Sequence, residues 1–215
     1  MPRHAGVTRL IPLKLRGPAG ELEALLQVRE PEDGSLTALV CHPHPLYGGT
    51  MHNKVVHRVA QGLEARGAVV LRFNFRGVGK SEGRSRGGVE ELEDAKAALS
   101  YLRERSPGAR RWAAGFSFGA WIATLLAGSE PDLEQLVLVA PPVTRSNFEI
   151  LRSLRVPKLI IQGTRDDVCP LAALETHYAE WEEPKRLIKV EGATHFFDSK
   201  LGALADALDQ GLPPP

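Results

Sequence analysis

The stretch that most constrains this chain is Arg111 to Ala127, where RWAAG leads into Phe116-Ser117-Phe118-Gly119 and then into the apolar run AWIATLLA. Ala113, Ala114 and Gly115 suit the end of a buried strand. Ala120 to Leu126 is a run of good helix formers that stops at Gly128. Joining the two needs a tight strand-to-helix turn with one hydroxyl at its tip. Gly115, Ser117 and Gly119 spell G-x-S-x-G, in which the missing Cβ atoms let backbone pack closely around a serine held on a strained turn. In a chain with 21 glycines the pattern alone is weak, so its meaning depends on partners elsewhere.

The chain around this stretch alternates strand and helix. Residues 7–15 and 21–29 alternate apolar with polar about Gly17-Pro18-Ala19-Gly20, an edge hairpin in which Pro12 is tolerated because an edge strand has a free side. Leu36 to Cys41 is a continuous apolar run suited to burial on both faces of a parallel sheet. The loop His42-Pro43-His44-Pro45-Leu46-Tyr47-Gly48-Gly49 follows, then a helical pattern through Val55, Val56, Val59 and Leu63 that stops at Gly67. Ala68 to Phe75 reads as a strand and Val89 to Arg105 as a helix, with acids in its first turn and arginines in its last. Beyond the serine come strands at Gln135 to Ala140, Leu159 to Gln162 and Arg186 to Val190, with helices at Leu171 to Trp181 and Lys200 to Leu208. Such alternation predicts an open α/β sheet, mostly parallel and of about eight strands, with helices on both faces. Ligands of these sheets bind at the carboxyl ends of the strands.

A length of 215 residues with 43% hydrophobic residues supports one buried core, so a single domain is expected over 1–215, with an edge-hairpin region at 1–35 and a disordered tail at 211–215. The net charge is +1 with both signs interspersed, which argues against a nucleic-acid face or a membrane patch and for a small-molecule substrate. Cys41 and Cys169 form no disulfide framework. No signal-peptide pattern opens the sequence and no run approaches roughly 18 apolar residues, so a cytoplasmic location is expected.

A serine hydroxyl becomes a nucleophile when a base takes its proton and an acid holds that base in one tautomer. Asp166 and Asp167 lie just past the strand ending at Gly163, and His195 lies just past the strand ending at Val190. The order serine, acid, histidine, each after its own strand, is that of the α/β-hydrolases. Backbone N–H groups must then take the charge on the substrate oxygen. Phe118, directly after the serine, supplies one; the other comes from the loop after Cys41, where Pro43 and Pro45 have no N–H and His44, Leu46 and Tyr47 remain. Leu46, Tyr47 and Phe196 flank these loops and are expected to touch substrate. Phe116, Phe118 and Trp121 are assigned to the core, Phe118 also within reach of substrate.

Other motifs have weaker readings. His42, His44, His52 and His57 share no helix face and lack a completing cysteine or carboxylate, so no metal is expected. Gly77-Val78-Gly79-Lys80-Ser81 has Asn74, inside an expected strand, where a phosphate-binding loop needs glycine. His177 is the competing base and Cys169 is read as packing.

Over Leu36 to Leu208 the sequence resembles the α/β-hydrolases, and more narrowly the small, capless bacterial hydrolases with a dienelactone-hydrolase-like core. The resemblance rests on CHPHPLYGG, RFNFRGVGKS, AGFSFG, GTRD and THFF as they stand from Cys41, Arg72, Ala114, Gly163 and Thr194. It implies Asp166 as the acid, three positions after the strand-ending glycine, and His44 as the second oxyanion donor. Dienelactone hydrolases proper use a cysteine where this chain has Ser117, so their substrate is not implied. Residues 141–158 leave room for one short helix and no cap domain. These features imply a serine hydrolase of short-chain acyl esters with no cofactor. Thioesters or peptide ends are the alternatives on the same site, and a non-catalytic hydrolase-fold binding protein is the alternative class.

Overall fold

The computed structural model describes residues 6–214. Strands β1 (Thr8–Gly17) and β2 (Gly20–Arg29) form the expected hairpin, and β1 is an edge strand of the sheet, with Pro12 exposed upon it. Six more strands follow: β3 (Leu36–Cys41), β4 (Val69–Phe73), β5 (Arg110–Phe116), β6 (Leu133–Val139), β7 (Lys158–Gly163) and β8 (Lys185–Val190). Among the described residues five α-helices accompany them, four between strands and the last after β8: α1 (Lys54–Glu64), α2 (Glu91–Arg105), α3 (Phe118–Ser129), α4 (Leu171–Glu180) and α5 (Leu201–Gly211).

The eight strands lie in the order β1-β2-β4-β3-β5-β6-β7-β8, with every pairing from β4 to β8 parallel and those of β1 and β2 antiparallel. From β3 the chain crosses to β4 on one side and then returns to β5 on the other. The sheet therefore reverses direction between β3 and β5, where a crevice opens at the strand ends. Ser117 and the loop starting at His42 both emerge there.

Period-two alternation explains the two cores. Along β3, Ala38 and Val40 face α1 and α5, whereas Leu39 and Cys41 face α2 and α3. Strands buried on both faces are mostly apolar, and β3, β4 and β7 are buried at every position, their polar members Thr37, Arg72, Lys158 and Gln162 each hydrogen-bonded. Helix α1 is 11 residues long, too short to persist alone; burial of Val55, Val56, Val59 and Leu63 at about 1.5–3 kcal/mol each holds it against the sheet.

The structure departs from the sequence reading at several boundaries. Helix α2 begins at Glu91, not Val89, and Val89 is exposed. The cause is Glu91 itself: its buried carboxylate accepts bonds from Ser85 Oγ at 2.5 Å, Gly87 N at 3.1 Å and Gly88 N at 3.0 Å, which fixes the preceding residues as a turn. Strand β4 stops at Phe73, so Asn74 is a loop residue, its amide spanning Met51 N at 2.8 Å and Glu23 Oε2 at 2.8 Å. With Ser81 Oγ bonded to Asn74 O, the Gly77–Ser81 segment is a structural turn. The expected tail is also shorter. Gly211 closes α5 and Leu212 is buried against the α1–α5 core, while Pro215 lies outside the described residues. Finally, α4 ends at Glu180, one residue before Trp181. Among the described residues no helix is long and apolar enough to cross a membrane.

Candidate active site

At the end of β5, Ser117 adopts φ 53° and ψ −122°, a left-handed conformation that costs a residue with a Cβ about 1–3 kcal/mol. The surroundings hold it there. Its N–H donates to Val139 O at 2.9 Å, and its carbonyl accepts from Ala120 N at 2.8 Å as α3 begins. The flanking glycines are required by contact: a Cβ on Gly115 would stand 2.5 Å from Ala120 N, and one on Gly119 2.6 Å from His42 O. Ser117 Oγ is thereby aimed out of the sheet.

The loops after β7 and β8 are fastened to each other. Thr164 N donates to Val190 O at 3.1 Å, Arg165 N to Ala193 O at 2.9 Å and Gly192 N to Thr164 Oγ1 at 2.8 Å. This brings Asp166 and His195 together from opposite sides of a strand pair. His195 Nδ1 lies 2.8 Å from Asp166 Oδ2, and His195 Nε2 lies 3.0 Å from Ser117 Oγ. Because Asp166 accepts, Nδ1 carries the hydrogen and Nε2 offers its lone pair to the serine hydroxyl. Asp166 also accepts from Val168 N at 3.0 Å, Cys169 N at 2.7 Å and Gln162 Nε2 at 3.0 Å, which fixes its rotamer. Asp167 is exposed, and His177 sits on α4 beside Phe148 and Trp181, away from the serine.

The loop after β3 answers which N–H groups are free. Leu46 N donates to His44 Nδ1 at 3.2 Å and Tyr47 N to His44 O at 3.1 Å, so both are engaged within the turn. Among the described residues, neither His44 N nor Phe118 N has an acceptor. The imidazole of His44 packs between the rings of Tyr47 at 4.6 Å and Phe118 at 4.9 Å, against Gly87 in the turn that Glu91 holds.

His42 secures the base of this loop. It is fully buried, its Nδ1–H donating to Pro43 O at 2.6 Å and its Nε2 accepting from Phe75 N at 3.0 Å. Burial lowers its pKa to about 4. Above about pH 6.5 the imidazole is neutral both folded and unfolded; below it the unfolded chain takes a proton that the folded chain refuses until about pH 4. Stability should therefore fall by about 3 kcal/mol as pH drops through that window. Urea unfolding of the parent and of His42→Gln at several pH values checks this: the variant should lack that part of the decline, and equal slopes would contradict it.

A cavity of about 640 Å³ opens over Ser117. Tyr47, 82% exposed, and Phe196, 46% exposed, line it. Leu46 does not: it borders a separate shallow pocket with Val78 and Arg84, because the turn after His44 points it away. Trp121, assigned to the core from sequence, is half-buried on the cavity wall, its Nε1–H donating to Asn147 O at 3.0 Å. Its position three residues after Phe118 puts both rings on one face of α3, a spacing visible in the sequence. Pro142, Arg145 and Ser146, from the loop after β6, complete the wall and had no motif to mark them.

Asp166, Cys169 and His195 place ligand atoms within 4.8 Å of one another. Two of the three are already bonded to each other, and burial together with Asp166 pushes the Cys169 thiol up to about 12, which keeps it protonated and a poor ligand.

Residues 37–151 match the family model described as Serine aminopeptidase, S33. A solved alpha-beta serine hydrolase homologue from Coxiella burnetii is 40% identical with a TM-score of 0.90, covering 94% of this chain and 97% of that one. XC6422 from Xanthomonas campestris, a serine hydrolase without a lid, is 36% identical with a TM-score of 0.88, covering 94% and 93%. A dienelactone hydrolase from Anabaena variabilis, 18% identical over 95% of this chain and 96% of its own, shares the fold with a TM-score of 0.80. A family match spanning half the chain, joined to likeness along nearly all of it, places the chain in the Serine aminopeptidase, S33 family, among the α/β serine hydrolases.

Proposed function

We propose that this protein hydrolyses short-chain carboxylic esters through an acyl-enzyme on Ser117. The observation that carries the reading is the continuous chain Ser117 Oγ, His195 and Asp166, at 3.0 and 2.8 Å, facing two N–H groups with no acceptor. His195 Nε2 takes the hydroxyl proton as Ser117 Oγ attacks the ester carbonyl. Asp166 holds the imidazole and balances its charge. The N–H groups of Phe118 and His44 receive the oxyanion, an interaction worth about 3 kcal/mol per donor to the barrier. Collapse of the tetrahedral adduct expels the alcohol, protonated by His195. Water, deprotonated by the same nitrogen, then releases the acid and restores the serine.

The absence of acidic residues among the described residues that line the cavity argues against an aminopeptidase, which must receive a substrate ammonium group. The open cavity, walled by Trp121, Pro142 and Val168, suits a small acyl group. On p-nitrophenyl esters from acetate to decanoate, kcat/KM is expected to peak among the short chains and decline toward decanoate. A rise that continues to decanoate would contradict the short-chain assignment.

A further inference from the structure

The wall of the cavity over Ser117 carries one permanent charge. Among the described residues that line it there is no aspartate, glutamate or lysine, and the two histidines, His44 and His195, are committed to the oxyanion loop and to the serine. The remaining ionic group is Arg145, beside Ser146 and Pro142 in the loop after β6. This loop is a defined turn, with Arg145 N and Ser146 N both donating to Pro142 O, at 2.9 and 3.0 Å, and with Asn147 O taking the Trp121 indole N–H at 3.0 Å.

Arg145 has no ion-pair or hydrogen-bonding partner for its guanidinium among the described residues. The nearby acid of the same loop, Glu149, pairs with Arg152 at 3.4 Å, and Asp166 is enclosed by its four donors. The charge is felt inward: it opposes the burial and the Asp166 carboxylate that raise the pKa of Cys169, behind Val168. An unpaired cation on a residue that lines this cavity, next to Ser146 whose hydroxyl has no partner among the described residues, offers a planar fork of donors matched to a carboxylate.

We infer that the natural substrate is an ester bearing a carboxylate away from its scissile carbonyl, which Arg145 recognises. This rests on the esterase reading above and narrows it to anionic esters such as half-esters of dicarboxylic acids. The carboxylate could belong to the acyl group or to the leaving alcohol, and matched ester pairs separate the two. Acyl-side discrimination is read from p-nitrophenyl hydrogen glutarate against p-nitrophenyl valerate, which differ by carboxylate for methyl. Alcohol-side discrimination is read from 4-carboxyphenyl butyrate against 4-carbamoylphenyl butyrate.

Because Arg145 is exposed, solvent screening puts the effect at the low end for a charged hydrogen bond. In one of the two pairs, the anionic-to-neutral ratio of kcat/KM should fall about tenfold in Arg145→Gln, and Arg145→Lys should restore part of it. In the parent the same ratio should fall as salt rises from about 0.02 to 0.5 M, and in Arg145→Gln it should not. Ratios unchanged by the substitution in both pairs overturn the inference. Calorimetric titration of glutarate into Ser117→Ala, with and without Arg145→Gln, separates this from the esterase reading. Glutarate uptake that needs Arg145, in a protein inactive on every ester, would retain the anion site and reject the hydrolase. Uptake indifferent to Arg145 would reject the site.

Discussion

Replacing Ser117 with alanine is expected to lower kcat/KM on short p-nitrophenyl esters by roughly 10⁴ to 10⁶-fold, leaving only what the oxyanion donors and the cavity contribute. The size follows from position. Ser117 Oγ is the hydroxyl at 3.0 Å from His195 Nε2, so without it the base has no attached nucleophile to activate. The loss should be chemical and not structural. Ser117 makes no side-chain cap bond to α3, and its backbone, at φ 53°, is as strained for alanine as for serine. Thermal midpoints of parent and variant should therefore agree within a few degrees. A variant that keeps more than a few per cent of parent activity would move the nucleophile elsewhere.

The second large effect is on the fold around the site. A Cβ on Gly119 would stand 2.5 Å from the Cys41 carbonyl carbon and 2.6 Å from His42 O, both backbone atoms that cannot rotate aside. Gly119→Ala must push α3 away from the end of β3, where Cys41 and Phe118 are buried in one core. The cost should be about 3 kcal/mol or more, read by urea unfolding, with most of the protein lost to aggregation if the margin is exceeded. Protein that does fold should have impaired turnover, because the same displacement separates Phe118 N from His44 N. A stable variant with parent kinetics would mean that this close approach is not needed.

How much of this could be read from the sequence depended on whether a residue's role was local. Ser117, Asp166 and His195 each lie within a few residues of the end of a strand, so their shared rim was implied by the alternation of strands and helices, and the fold with it. The prolines at 43 and 45 narrowed the second donor to three residues. The resemblance favoured His44 among them, and in the turn itself Leu46 N and Tyr47 N are bonded to His44. His42 and His44 look alike in HPHP, yet one is a buried neutral bridge to Phe75 N and the other carries the free N–H. Only the approach of the β4 loop distinguishes them. The start of α2 was misplaced because Glu91 reads as an ordinary first-turn acid, whereas it folds back on the Ser85–Gly88 turn. Trp121 and Arg145 reach the cavity through the packing of α3 against the loop after β6, a contact between segments that carry no shared motif.

The most direct test of the account is to treat the protein with a fluorophosphonate, digest it with trypsin, and locate the adduct by fragmenting the peptide from Trp112 to Arg145, which contains Ser117 and Ser129. The account predicts one phosphonyl group per chain, on Ser117, with esterase activity lost in step. No adduct, or one on another residue that abolishes turnover, would contradict it.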